Sequence, residues 1–205
     1  MEQGLHITPD NLRGELQQQL DSAGEGYDAV LLGYGLCGNG TLGLSCRLPL
    51  VIPRAHDCIS LLLGSRQRHE DYMRQYPGSY FYTPGWIEQG FAPSRAGDEQ
   101  KRQDYIVRYG QETTDYLMET ELEWRKKYQR AVFIDWGLPE KDRYIEYTQE
   151  AAAYLGWQYD YIEGSNRLLL NLLSGGWEKR SFAVLKPGQV ITESILAPCR
   201  TEGSG

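Results

Sequence analysis

Three sulfur and nitrogen side chains carry the strongest chemical signal in this sequence. Cys37 sits in Leu-Gly-Tyr-Gly-Leu-Cys-Gly-Asn-Gly (32–40), and His56 and Cys58 sit in Arg-Ala-His-Asp-Cys (54–58). Each stretch follows an apolar, β-branched run. In an open parallel sheet, the loops at the carboxyl ends of neighbouring strands face one crevice, where ligands bind. Two such loops are expected to place Cys37, His56 and Cys58 around one ion and to leave a position for water or substrate. Zinc suits this donor set first and iron second. His-x-Cys is not a common structural zinc spacing, and the chain has no C-x-x-C pair, so the metal expectation rests on where the loops fall.

Other residues take supporting roles around Cys37, His56 and Cys58. Asp57 and Asn39 are expected to hydrogen-bond around the ligands, and Arg54 to recognise an anionic group. Tyr34, Thr83 and Trp86 are expected to line a substrate pocket. Asp135, Glu163 and Asn166 at other strand ends add walls or hydrogen bonds, or simply cap helices and close turns. A metal-free thiol enzyme is a second possibility. There the helix dipole and Arg54 or His56 would favour a Cys58 thiolate, with His56 as base and Asp57 orienting it. Cys58, Asp57 and Asn39 are the catalytic candidates. The plainest reading makes Cys58 a packed small hydrophobe and His56 a hydrogen-bonded loop residue. Cys46 follows an apolar stretch and reads as packed, and Cys199 falls in the tail. His6 and His69 have no clear partners, His69 lying with Arg66, Arg68 and Glu70 on a solvated helix face.

Gly33, Gly35 and Gly38 spell G-x-G-x-x-G after a strand, and Asp57 follows about 20 residues on, as the dinucleotide fingerprint asks. That fingerprint also needs a regular crossover helix, and residues 38–43 are too rich in Gly to form one. Nucleotide binding is disfavoured.

The elements that position these residues alternate. Leu12, Leu16 and Leu20 predict a first helix, ended by Gly24 and Gly26. Strands are predicted at 28–32, 50–52, 79–82, 131–135 and 157–162, with a last strand or hairpin over 182–185 and 189–192 around Pro187-Gly188. Helices are predicted from an Asp57 cap toward Tyr76, over 102–128, over 140–155 and over 166–173. Residues 90–101 read as a mobile loop. This order predicts an α/β three-layer sandwich with a mostly parallel, Rossmann-like sheet.

With 205 residues, the chain suits a single domain over 1–198, with residues 199–205 a disordered tail. A formal charge of −7 argues against a nucleic-acid surface or a basic membrane anchor. No apolar run is long enough to span a bilayer and no signal-peptide pattern opens the sequence, which makes a soluble, cytoplasmic protein the expectation. Four cysteines in a chain of this length do not form a disulfide scaffold.

The same motifs carry a family resemblance. Leu-Gly-Tyr-Gly-Leu-Cys-Gly-Asn-Gly, Val-Ile-Pro-Arg-Ala-His-Asp-Cys-Ile, Leu-Leu-Gly-Ser-Arg and Pro-Gly-Ser-Tyr-Phe-Tyr-Thr-Pro-Gly-Trp-Ile-Glu are similar to the domain-of-unknown-function 1638 family of methanogenic archaea and anaerobic or versatile bacteria. Residues 132–137 and Pro187-Gly188-Gln189 resemble its later landmarks. The family's genes often lie near those for corrinoid-dependent methyl transfer, so the resemblance implies one-carbon metabolism, with methyl-transfer proteins as partners. Members usually begin with a further strand ending in Ala-Cys-Glu ahead of the segment that starts at Gly4 here, and the resemblance implies that this strand and its thiol are lacking. Nothing resembles the Asp-x-His-x-x-Gly motif of many corrinoid proteins. A non-catalytic accessory protein that binds a cofactor or a partner enzyme through the same crevice is the competing class.

Overall fold

The computed structural model describes residues 8–24 and 26–197 as a mixed α/β protein with two small sheets. His6, Cys199 and the 199–205 tail lie outside those residues. The chain divides into two compact units, one drawn from residues 1–70 and 165–205 and the other from 71–164.

The sheet of the first unit has the order β1-β2-β6, from β1 (Val30–Leu31), β2 (Leu50–Pro53) and β6 (Phe182–Leu185). β1 runs parallel to β2, and β6 pairs with β2 antiparallel, Leu50 opposite Leu185 and Pro53 opposite Phe182. All four β2 residues are buried, as a central strand of near-continuous apolar character requires. Its alternation sorts two cores. Leu50 and Ile52 join Leu12, Leu16 and Leu20, the inward stripe of α1 (Pro9–Asp21). Val51 joins Leu61, Leu168, Leu172 and Phe182, supplied by β6, α2 (Cys58–Leu62) and α8 (Arg167–Ser174).

In the second unit β3 (Ser79–Tyr82), β4 (Arg130–Asp135) and β5 (Gln158–Glu163) form a fully parallel sheet in that order. Ala131 and Phe133 of β4 pack with Tyr144, Ala151 and Ala152 of α7 (Lys141–Leu155).

The predicted strands fall close to the observed ones, but they make two three-stranded sheets instead of one, and residues 189–192 form no strand. The helix expected from Asp57 toward Tyr76 is two, α2 and α3 (Arg66–Gln75), because the chain turns at Gly64 with φ +69°. Residues 84–88 form a short helix, α4 (Pro84–Glu88). The expected mobile loop contains the start of a longer one, α5 (Arg95–Tyr109), capped by the Ser94 hydroxyl accepting from the Gly97 amide. The long helix predicted over 102–128 breaks at Gly110, whose φ of 78° and ψ of 166° suit glycine alone, and resumes as α6 (Gln111–Leu122) before a 3-10 turn at Glu123–Lys127. A last short helix, α9, covers Glu193–Leu196.

Candidate functional site: the thiol crevice

The two sequence-predicted loops meet in the first unit because β1 and β2 are parallel neighbours. Their ends continue to pair beyond the sheet. The Leu36 amide donates to the Ala55 carbonyl at 2.9 Å, and the Cys37 amide to the His56 carbonyl at 3.0 Å. Gly35 makes this approach possible, since a Cβ there would meet the Ala55 oxygen at 2.9 Å and the Asp57 nitrogen at 3.0 Å. The loop then runs through consecutive turns over 37–43, with the buried Thr41 hydroxyl donating to the Gly35 carbonyl at 3.1 Å. The glycines of the G-x-G-x-x-G pattern therefore serve a loop-to-loop contact and a series of turns. Cys37 itself has φ 47° and Asn39 φ 72°. Asn tolerates that left-handed region, whereas a Cys there carries strain.

Asp57 is the hub. Its carboxylate caps α2, accepting from the Ser60 amide at 2.9 Å and the Ser60 hydroxyl at 3.1 Å. His56 Nδ1 lies 3.4 Å from one carboxylate oxygen and His69 Nδ1 3.4 Å from the other, with His69 Nδ1 also 3.1 Å from the Ser60 hydroxyl. Burial alone would raise this carboxyl. The hydrogen bonds from His69 and the Ser60 amide, the His69 charge and the contact with His56 outweigh it and hold Asp57 well below the usual carboxylate range.

His69 is the residue that sequence reasoning missed. Its place on a polar helix suggested a solvated face, but the turn at Gly64 brings the start of α3 back over the Asp57 cap, leaving the His69 side chain only 14% exposed. The one sequence signal was Gly64 itself, which ends α2 early enough for α3 to double back.

The surroundings of Cys37 and Cys58 disfavour their thiolates. Burial pushes Cys37 up, and Asp57 adds to it, against a hydrogen bond from the Gly35 backbone. Cys58 presents surface to solvent, yet the protein packed around its sulfur, then Asp57 and then Cys37, push it up to about 12. The helix dipole and Arg54 were expected to do the opposite. α2 is only five residues long, and Arg54 is committed elsewhere. Its Nε donates to the carbonyls of Lys179 at 2.8 Å and Phe182 at 3.2 Å, and its Nη1 to those of Ala197 at 2.9 Å and of Ile195. Arg54 thus ties the chain around α9 to the end of β2.

Tyr34 packs against the α1 core beside Cys37, and burial first, then Cys37, raises its hydroxyl. Asn39 and His56 line one open groove with Leu36 and Ala55. Thr83 and Trp86 fall in the second unit. There the Thr83 hydroxyl accepts from the Trp86 amide at 3.2 Å to cap α4, and the indole donates to the Tyr80 hydroxyl at 2.8 Å. Asp135, also in the second unit, accepts from the Gly137 amide at 2.7 Å and from Lys141 at 3.3 Å, closing its own turn. Asn166 makes no side-chain cap bond to α8. Cys46 is buried in the α1 core, as expected.

As the side chains stand, no group of three or more His, Cys, Asp and Glu among the described residues is set to hold a metal ion. The backbone brings Cys37, His56 and Cys58 onto paired loops, while the His56 ring is turned to Asp57. No helix among the described residues is long and apolar enough to cross a membrane.

A mixed α/β fold with Cys37, His56, Asp57 and Cys58 on paired loops at the carboxyl ends of parallel strands is the class of protein these observations define. The chain belongs to the family described as protein of unknown function DUF1638, whose profile matches residues 1–173. Comparison with curated proteins and with solved structures finds no match for it.

Proposed function

We propose that the crevice binds a soft divalent cation, zinc before iron, through Cys37, Cys58 and His56, and that the protein acts in corrinoid-linked methyl or one-carbon metabolism in the cytoplasm. The observation that carries this reading is the zipping of the two strand-end loops, which sets both cysteines beside Asp57 and His56. The strained backbone of Cys37 adds to it, because left-handed non-glycine residues collect at functional sites. Gathering the three ligands requires the His56 ring to leave Asp57, where His69 and Ser60 remain as its partners. A bound zinc would supply Lewis acidity and hold the sulfurs as thiolates. The chain's own residues would contribute an oriented His56, held until binding by Asp57, and a groove lined by Asn39. The Rossmann-like, three-layer arrangement expected from the strand and helix order is the frame for this reading, supported by a β2 strand buried on both faces.

A second reading, a non-catalytic accessory protein that binds a cofactor or partner enzyme here, draws support from surroundings that disfavour the Cys37 and Cys58 thiolates. The same surroundings weigh against a metal-free thiol enzyme, which needs a thiolate near neutral pH. The deciding experiment is metal content by mass spectrometry on anaerobically purified protein, beside a Cys37→Ala/Cys58→Ala double variant. About one zinc or iron per chain, lost in the variant, supports the metal site. A folded, metal-free wild type that takes up no added zinc overturns it. Cys58→Ala then separates the two classes, abolishing turnover in an enzyme and leaving partner binding intact in an accessory protein.

A further inference from the structure

The first unit holds a second recess, a cavity of about 350 Å³ whose wall contains four arginines: Arg54, Arg66, Arg167 and Arg180. One carboxylate lines it, Glu70, and Arg66 already holds that group at 2.7 Å. This concentration of positive charge runs against a chain whose formal charge is −7. All four cations are Arg rather than Lys, and planar guanidinium forks match the paired oxygens of phosphate.

Two helices begin at the same recess. α3 starts at Arg66 and α8 at Arg167, and the first residues of both line the cavity. The positive ends of two helix dipoles therefore add to the guanidinium field. The Arg167 guanidinium makes no hydrogen bond or ion pair among the described residues and stands exposed at the rim. Arg180 is also exposed and pairs through Nε with Glu178 at 2.7 Å, outside the lining. Asn171 and Ser181 add neutral groups able to bond a hydroxyl or an ester oxygen.

From this arrangement we infer that the recess is a binding site for a phosphate-bearing small molecule carrying two or more negative charges. Arg54 and Arg66, fixed by backbone carbonyls and by Glu70, form its rigid floor, and Arg167 and Arg180 close on the anion from the rim. Arg66 also lines the groove that contains Asn39 and His56, so the phosphate-bearing end of a ligand held here would lie next to that groove. The site stands apart from the metal reading, since no thiol takes part.

The test is calorimetric titration of pyrophosphate into the full chain, stripped with chelator beforehand so that the state of the thiol crevice does not enter. Citrate serves as the polycarboxylate control. Pyrophosphate is expected to bind saturably at one site per chain, more tightly than citrate, and to raise Tm as it binds. Arg167→Gln/Arg180→Gln should weaken binding roughly tenfold or more, with two charge-assisted contacts removed, while the melting temperature without anion stays at the wild-type value. Absence of saturable binding to the wild type overturns the assignment. So does unchanged affinity in the double variant, and citrate binding as tightly as pyrophosphate removes phosphate as the ligand class.

Discussion

Cys37 holds a backbone conformation that glycine would hold without strain, which separates its two roles by substitution. Cys37→Ala keeps a Cβ in the left-handed region, and Cys37→Gly relieves it. The glycine variant should therefore melt higher than the alanine variant, by about 1 kcal/mol in stability, although neither retains the thiol. Gly35 is the opposite case, because there the loops leave no room for a Cβ. Gly35→Ala should cost about 1–3 kcal/mol in chemical denaturation, by prising Ala55 and Asp57 away from the first loop. Asp57 adds a pH dependence. Its folded carboxyl titrates below its unfolded value of about 3.9, so its contribution is complete above roughly pH 5 and fades as pH falls through the folded value. The difference in Tm between wild type and Asp57→Ala should accordingly be largest near neutral pH and shrink on acidification. At neutral pH the variant also loses its cap on α2, worth about 1 kcal/mol.

At the scale of elements, Arg54 does the work of a clasp. It donates to four carbonyls drawn from residues 179–182 and 195–197, joining three parts of the chain through one guanidinium. Arg54→Met keeps much of its bulk and removes those bonds. Amide exchange over α9 should then rise by at least about tenfold, read by mass spectrometry, while the amides of α1 keep their protection. This role was illegible in the sequence because the carbonyls that Arg54 meets are more than a hundred residues away and carry no side-chain signature. What could be read was local. The apolar runs at 50–52, 79–82 and 131–135 announced their strands, and Leu12, Leu16 and Leu20 announced α1. The pairing of Cys37 with His56 followed from parallel strand ends. The break at Gly110 was hidden because the residues around it, Arg-Tyr before and Gln-Glu after, suit a helix on both sides, and only the torsions of that glycine divide α5 from α6. The His69 contact was hidden for a related reason: polarity marked its helix as solvated, while a single turn at Gly64 decided where that helix lay.

At the scale of the whole chain, the first unit is assembled from two distant stretches, and β6 is the piece that completes its sheet. Leu50–Pro53 finds its antiparallel partner only at residues 182–185. A chain ended at residue 180 would leave the β2 edge unpaired, and its amides over 50–53 should exchange far faster than in the full chain. This connectivity also orders events on the ribosome. Cys37, His56 and Cys58 emerge early, whereas the strand that closes their sheet emerges only after all of the second unit has been made. Until then Cys37, Cys46 and Cys58 lie in segments that flank a sheet with an open edge. Oxidative damage and mispairing should therefore strike hardest in the nascent chain, so the yield of folded protein should respond to the redox state of the cell during synthesis more than afterwards.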